Sequence, residues 1–267
     1  MFTAFLSDQL FISLKIQKTK KIMSRKLIPF AISFVFIFAA CSKDEDSKPG
    51  SGGGIPETEV VKDIDNNTYP VVQIGTQKWM KQNLRTTRYN NGDTIANNTN
   101  TWNNLTSGAW AYYNNNPQYN TPYGKLYNFY AVSDNRKLCP SGWRVPNNSD
   151  WNILIKTVDP LADTTTNDPL RSSLAGGYLK STGTIVDENG LWDSPNLNAT
   201  DKKGFSVVPA GVKSNTGFSD LSFKGVLWAS SQINSQGYSL WFDYDNDDVY
   251  RYTKDKTQGY SVRCIKE

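Results

Sequence analysis

From Val60 onward the chain is built of short apolar runs, broken by Asn, Gly, Pro and Ser and threaded with aromatic residues. Runs of this kind close a core through short strands, tight turns and long loops, and they leave little room for long helices. The sequence is 38% hydrophobic and 20% charged, ordinary for a globular chain, so a buried core is available. No internal repeat is visible. Residues 60–267 therefore read as one α+β domain with short strands, about two helices and long loops.

Several elements can be placed within it. Val71-Val72-Gln73-Ile74, a Gly75-Thr76 turn and Lys78-Trp79-Met80 predict an early hairpin. Ser149 is a candidate N-cap for a helix through Trp151, Ile153, Leu154, Ile155 and Val158, stopped by Pro160. A second short helix is expected over residues 125–132. The end of the domain reads as strand 238–244, a polar turn at 245–248, strand 249–253 and a last strand 260–265.

The stretch ahead of this domain has a different character. Residues 23–40 combine Ser24-Arg25-Lys26, the apolar run 27–38 and Ala39-Ala40, the order of a secretory signal, and the run is shorter than the ~20 apolar residues of a membrane span. Ala39-Ala40-Cys41 resembles a bacterial lipobox, which makes Cys41 the expected lipidated residue and the membrane lipid anchor the expected partner. Residues 1–22 look like an over-called start, with Met23 the better one. Residues 41–59 then form a flexible tether rich in Gly, Ser, Lys and Asp. Its Lys43-Asp44-Glu45-Asp46 resembles the surface-export signal of Bacteroidota lipoproteins, implying the outer face of the outer membrane.

Charge and missing residue types narrow the chemistry. Of 29 basic and 25 acidic residues, six and one fall in the first 41, leaving 23 against 24, so nothing in the remainder recommends a nucleic-acid partner. There is no histidine, which excludes Ser-His-Asp and Cys-His catalysis and removes the commonest zinc ligand. With Cys41 lipidated, Cys139 and Cys264 remain as a pair, expected to form a disulfide or else to be two buried thiols.

Five motifs occur in order across the domain. They are Gln77-Lys78-Trp79-Met80-Lys81-Gln82-Asn83-Leu84, then Cys139-Pro140-Ser141-Gly142-Trp143-Arg144-Val145-Pro146 with Asp150-Trp151, then Gly204-Phe205-Ser206-Val207-Val208-Pro209-Ala210-Gly211. Trp228-Ala229-Ser230-Ser231 and Gly259-Tyr260-Ser261-Val262-Arg263-Cys264 complete the series. Together they resemble the Fibrobacter succinogenes major paralogous domain. That resemblance implies a C-type-lectin-like fold, in which an early strand pairs with the last, and an exported protein of Bacteroidota or Fibrobacterota without established catalytic activity. The fold is shared with formylglycine-generating enzymes, whose copper-dependent oxidation needs a close cysteine pair near the C-terminus. Only Cys264 lies there, so no enzyme and no cofactor is expected.

The function expected is thus a surface lipoprotein whose domain binds an extracellular glycan or another surface macromolecule. A structural or assembly component of the envelope, contacting a partner protein, is the alternative. Trp192, Trp228 and Trp241 are candidate ligand-binding aromatics, with Asp243 beside them; alternation in 238–244 sets Tyr238, Leu240, Phe242 and Tyr244 inward and Trp241 outward. Asp243, Asp245 and Asp247 invite a calcium reading, but Asp248 stands where an EF-hand loop needs Gly and Lys254 where it needs Glu, so a plain polar turn is favoured. Trp102, Trp110, Tyr112, Tyr113 and Tyr119, within 90–120, offer a second aromatic surface or an ordered insertion. Asp93-Thr94-Ile95 and Asp163-Thr164-Thr165 resemble the short O-glycosylation sequence of Bacteroidota.

Overall fold

The computed structural model describes residues 59–99, 102–166 and 168–267. Cys41, the signal, the tether and the acidic run after Cys41 lie outside the described residues. In chain order the strands are β1 (Val60–Lys62), β2 (Thr68–Ile74), β3 (Gln77–Met80), β4 (Ala96–Asn97), β5 (Ala109–Ala111), β6 (Leu126–Asn128), β7 (Trp143–Arg144) and β8 (Leu170–Ser172). They continue with β9 (Ala210–Ser214), β10 (Gly217–Leu221), β11 (Lys224–Ile233), β12 (Gln236–Asp243), β13 (Val249–Asp255), β14 (Gly259–Tyr260) and β15 (Ile265–Lys266). The α-helices are α1 (Asn120–Tyr123), α2 (Phe129–Val132), α3 (Asn148–Val158) and α4 (Ala175–Leu179). The domain is thus mostly β-sheet, with few short helices and long loops, an α+β class.

Three sheets carry the fold, in the orders β1-β2-β3-β15-β7, β10-β9-β14-β6-β5-β4 and β11-β12-β13-β8. The expected hairpin is present, with Val72 opposite Trp79 and Gly75 at positive φ in its turn. The helix is present too, but its N-cap is Asn147 and not Ser149. Asp150 decides this: its carboxylate accepts from the Asn147 backbone while the Asn147 side chain accepts from the Asp150 N–H, a reciprocal capping box. Arg144 grips the same carboxylate from the side, at 2.8 Å through one of its two N–H contacts. The apolar face of α3 then buries Trp151, Leu154, Ile155 and Val158. Trp151 packs 4.9 Å from Trp79 of the hairpin. Residues 125–132 divide into β6 and then α2, which Asn128 caps.

β11 explains where the core sits. Its residues 225–229 are buried throughout. Val226 and Trp228 belong to one apolar cluster with Tyr127, Phe129 and Tyr260, while Leu227 and Ala229 belong to another with Trp79, Trp151, Leu240 and Phe242. A strand with core on both faces loses the polar alternation that marks a half-buried one.

The expected last strand is instead a seam. Gly259 and Tyr260 pair in the second sheet, and Ile265 pairs with both Trp79 and Arg144 in the first. Between them, Ser261 exchanges backbone bonds with β11, its O accepting from Trp228 at 3.0 Å and its N donating to Val226 at 3.1 Å. The Val262 and Cys264 carbonyls accept from Leu84 and Met80. Residues 259–266 thus bond to all three sheets. Cys264, in this seam, is joined to Cys139 by a disulfide spanning 125 residues.

Candidate functional site

β12 and β13 are antiparallel, with Trp241 opposite Tyr250 and Ser239 opposite Tyr252. Because side chains alternate along a strand, this register puts Trp241, Tyr250, Tyr252 and Lys254 on one face. All four are half-buried, whereas Leu240 and Phe242, pointing the other way, are fully buried. Trp241 meets Tyr252 edge-on at 5.6 Å, and Tyr250 lies parallel to Tyr252 at 5.9 Å. The Lys254 ammonium sits 5.0 Å from the Trp241 ring and 5.3 Å from Tyr252, and the Lys224 ammonium sits 5.7 Å from the Trp241 ring. The Trp241 indole N–H donates to Ser239 at 2.9 Å, which fixes the ring. The phenol of Tyr250 donates to Asp248 and is pushed up to about 12 by that bond, so it stays neutral. The result is a pre-ordered aromatic ledge edged by two ammonium groups. Such a ledge can stack on a flat apolar face of a ligand while the lysines hold its polar or acidic groups.

Sequence alone singles out only Trp241 and Asp243 in this region. Asp243 stands at the edge of the ledge, where it binds Lys224 at 3.0 Å. Tyr250, Tyr252, Lys224 and Lys254 join the site only through the fold. Their signal is the alternation in Val249-Tyr250-Arg251-Tyr252-Thr253-Lys254, which becomes useful once the turn fixes the register.

Two other candidates move into the core. Trp192 is 0% exposed, and its indole N–H is shared between Ser181 at 3.1 Å and the Val207 carbonyl at 3.2 Å. Trp228, also 0% exposed, lies on β11 rather than in a loop and donates to the Tyr127 carbonyl at 2.8 Å. Neither presents a stacking surface, because neither ring has any exposed area. Trp102 and Trp110 of the Asn-rich segment are likewise buried, while Tyr112, Tyr113 and Tyr119 are half-buried. At the centres of the two glycosylation-like triplets, Thr94 is exposed and Thr164 is buried.

The three acids of the calcium reading point to separate partners. Asp243 pairs with Lys224, Asp245 accepts from Asn246, and Asp247 accepts from Asn198. Among the described residues no group of three or more acids, cysteines or histidines converges as a metal site. The inside of the turn holds a different cation. Lys180, 0% exposed, donates to the Asp243 carbonyl at 2.8 Å and the Asn246 carbonyl at 2.7 Å, and lies 5.3 Å from the Trp192 ring. The turn also rests on α4, where a Cβ on Gly176 would overlap the Asp248 carbonyl oxygen. A side chain there would push turn and helix apart.

Burial pushes Lys180 down to about 8, against the upward pull of Asp247, Asp243 and Asp245. A lysine in an unfolded chain titrates near ~10.4. Between these values the unfolded state holds the extra proton, so stability rises with pH across that window and is level below it. Lys125, lowered to about 8 by burial, contributes in the same sense. Melting temperature is therefore expected to rise from about pH 8 to about pH 10, and Lys180→Met to show a shallower rise. An unchanged slope in that variant would place the titration elsewhere.

The chain matches the family described as the Fibrobacter succinogenes major domain over residues 72–266. It belongs to this family. The match takes in both halves of the disulfide, the seam and the ledge, so each is part of the Fibrobacter succinogenes major domain and not an appendage to it. No curated protein and no solved structure matches the chain.

Proposed function

We propose that this chain is a lipid-anchored protein of the outer face of a Bacteroidota outer membrane, and that its domain binds an extracellular glycan without catalysing a reaction. The observation that carries the binding reading is the ledge of Trp241, Tyr250 and Tyr252 with Lys224 and Lys254 at its margins. Sugars have apolar faces that stack on such rings and hydroxyls that reach the flanking ammonium groups. The address rests on the lipobox-like Ala39-Ala40-Cys41 and the acidic residues after it. The non-catalytic reading rests on the lack of histidine and on both remaining cysteines being committed to each other. A C-type-lectin-like architecture is the fold we infer; the antiparallel pairing of Ile265 with Trp79, an early strand against the last, supports it.

A glycan array probed with the full chain held in detergent tests this reading. Bound glycans are expected, and Trp241→Ala or Tyr252→Ala should weaken them about fivefold each, the equivalent of ~1 kcal/mol per aromatic contact. A blank array together with a stable co-purifying envelope protein would replace glycan binding by the assembly reading.

A further inference from the structure

Arg263 is the one seam residue whose side chain is both charged and wholly enclosed, at 0% exposure. Its guanidinium donates to the Phe205 carbonyl, to the Ser206 carbonyl at 3.1 Å and to the Asn83 side-chain oxygen at 3.1 Å, and it lies 4.5 Å from the Phe205 ring. All three acceptors are neutral, and the Nε–H has no partner. None of the ion pairs among the described residues includes Arg263. The nearby Asp201 carboxylate is occupied by Ser206, taking both its N–H at 2.8 Å and its hydroxyl. Burial accordingly holds the Arg263 pKa below the ordinary arginine value, with Asp201 opposing only in part. A buried charge is normally paired, because leaving it uncompensated costs several kcal/mol.

Arg263 lies in the wall of a cavity of about 340 Å³, together with Lys81, Gln82, Thr121, Pro122 and Val208, and its side chain exposes no surface there. Lys81 is half-buried, and its ammonium forms no ion pair or hydrogen bond among the described residues. No carboxylate lines the cavity. Lys81 therefore faces, and the unpaired Arg263 charge lies behind the wall of, a space at the small end of the ~300–1,000 Å³ typical of ligand sites. Its proline and valine walls suit a carbon skeleton, and Gln82 and Thr121 supply neutral polar groups.

We propose that this cavity is a second binding site, separate from the aromatic ledge, for a small organic molecule bearing one carboxylate. The acid group would accept a charge-assisted hydrogen bond from Lys81 and offset the Arg263 charge across the cavity wall. An acidic sugar and the C-terminus of a peptide both carry this chemistry.

Calorimetric titration of the full chain in detergent with glucuronic acid, with N-acetylalanine and with glucose separates the sources. Heat with either acid beyond that with glucose is expected, and the stronger of the two identifies the source. Lys81→Met should weaken acid binding roughly three- to tenfold and leave the melting temperature unchanged, as its side chain has no structural partner to lose. Arg263→Met should weaken it as well; because that variant also strips three backbone and side-chain acceptors of their donor, Lys81→Met carries the test alone if it unfolds. No heat with either acid, or acid binding as tight in Lys81→Met as in the parent, would overturn the proposal. Since ledge variants leave this cavity untouched, acid binding that survives Trp241→Ala keeps the two sites distinct.

Discussion

Replacing Cys139 and Cys264 together by alanine is expected to lower the unfolding free energy by about 5 kcal/mol, a large share of the stability of an ordinary domain. The disulfide closes a loop of 125 residues. On the chain-entropy account a loop of that length restricts the unfolded chain by about this amount. For a domain of this size the melting temperature should fall by roughly 10–20 °C, read by circular dichroism with and without reductant. Placement adds to the effect. Cys264 lies in the seam that bonds to every sheet, and Cys139 lies at the turn before Trp143, whose strand pairs with Lys266. Freed from the bridge, the seam would hold to this region by backbone bonds and the apolar packing of Leu138, Trp143 and Val145 against Val262 alone. A loss under about 1 kcal/mol would mean that the unfolded chain is already held compact by other contacts.

Trp228→Ala is expected to have an effect of similar size. Trp228 packs edge-on to Phe129 at 5.2 Å and against Tyr260 at 4.4 Å, with no exposed surface. Truncating a buried tryptophan costs about 3–5 kcal/mol through lost transfer energy and the cavity left behind. The Tyr127 carbonyl would also lose its indole donor, at about 1–3 kcal/mol if nothing replaces it. Denaturant unfolding should show a large drop in midpoint, whereas Trp241→Ala, on the half-open ledge, should show a much smaller one. A Trp228→Ala chain that is as stable as its parent but fails to bind glycan would reverse the assignment of the two tryptophans.

That contrast also measures what the sequence makes legible. The hairpin of β2 and β3 and the helix α3 are visible because their apolar periodicity and turn residues are local. The cap of α3 falls on Asn147, two residues before the expected position, because all four residues 147–150 are of capping type and only the reach of Asp150 chooses among them. Trp228 is hard to place for a different reason. In Val226-Leu227-Trp228-Ala229 both faces are apolar, so no alternation announces a strand. Trp192 is hidden by Ser181 and Val207, partners its own segment does not reveal.

The candidate site divides in the same way. Trp241 is readable as outward-facing from the pattern of its own strand. The ledge needs the pairing of Trp241 with Tyr250, which is set by the turn that Lys180 fills from a distant helix end. The run of acids in that turn suggests an external cation, whereas the fold supplies an internal one. The charge on Arg263 is present in the motif, but its isolation from carboxylates is a property of residues 83, 201, 205 and 206 meeting in space.

The seam has a consequence for the order in which the molecule can be assembled. Strands β2 and β3, or β11 and β12, can pair as soon as each hairpin exists, since their partners are neighbours in the chain. The first and second sheets stay divided until residues 259–266 arrive, because this one segment supplies a strand to each, and it also bonds to β11 of the third. Closure of the first sheet against β15 joins residues from opposite ends of the domain, the kind of distant contact that slows folding. Until that segment docks, the first and second sheets remain in separate parts, and the same late step that joins them places both Cys264 and Arg263.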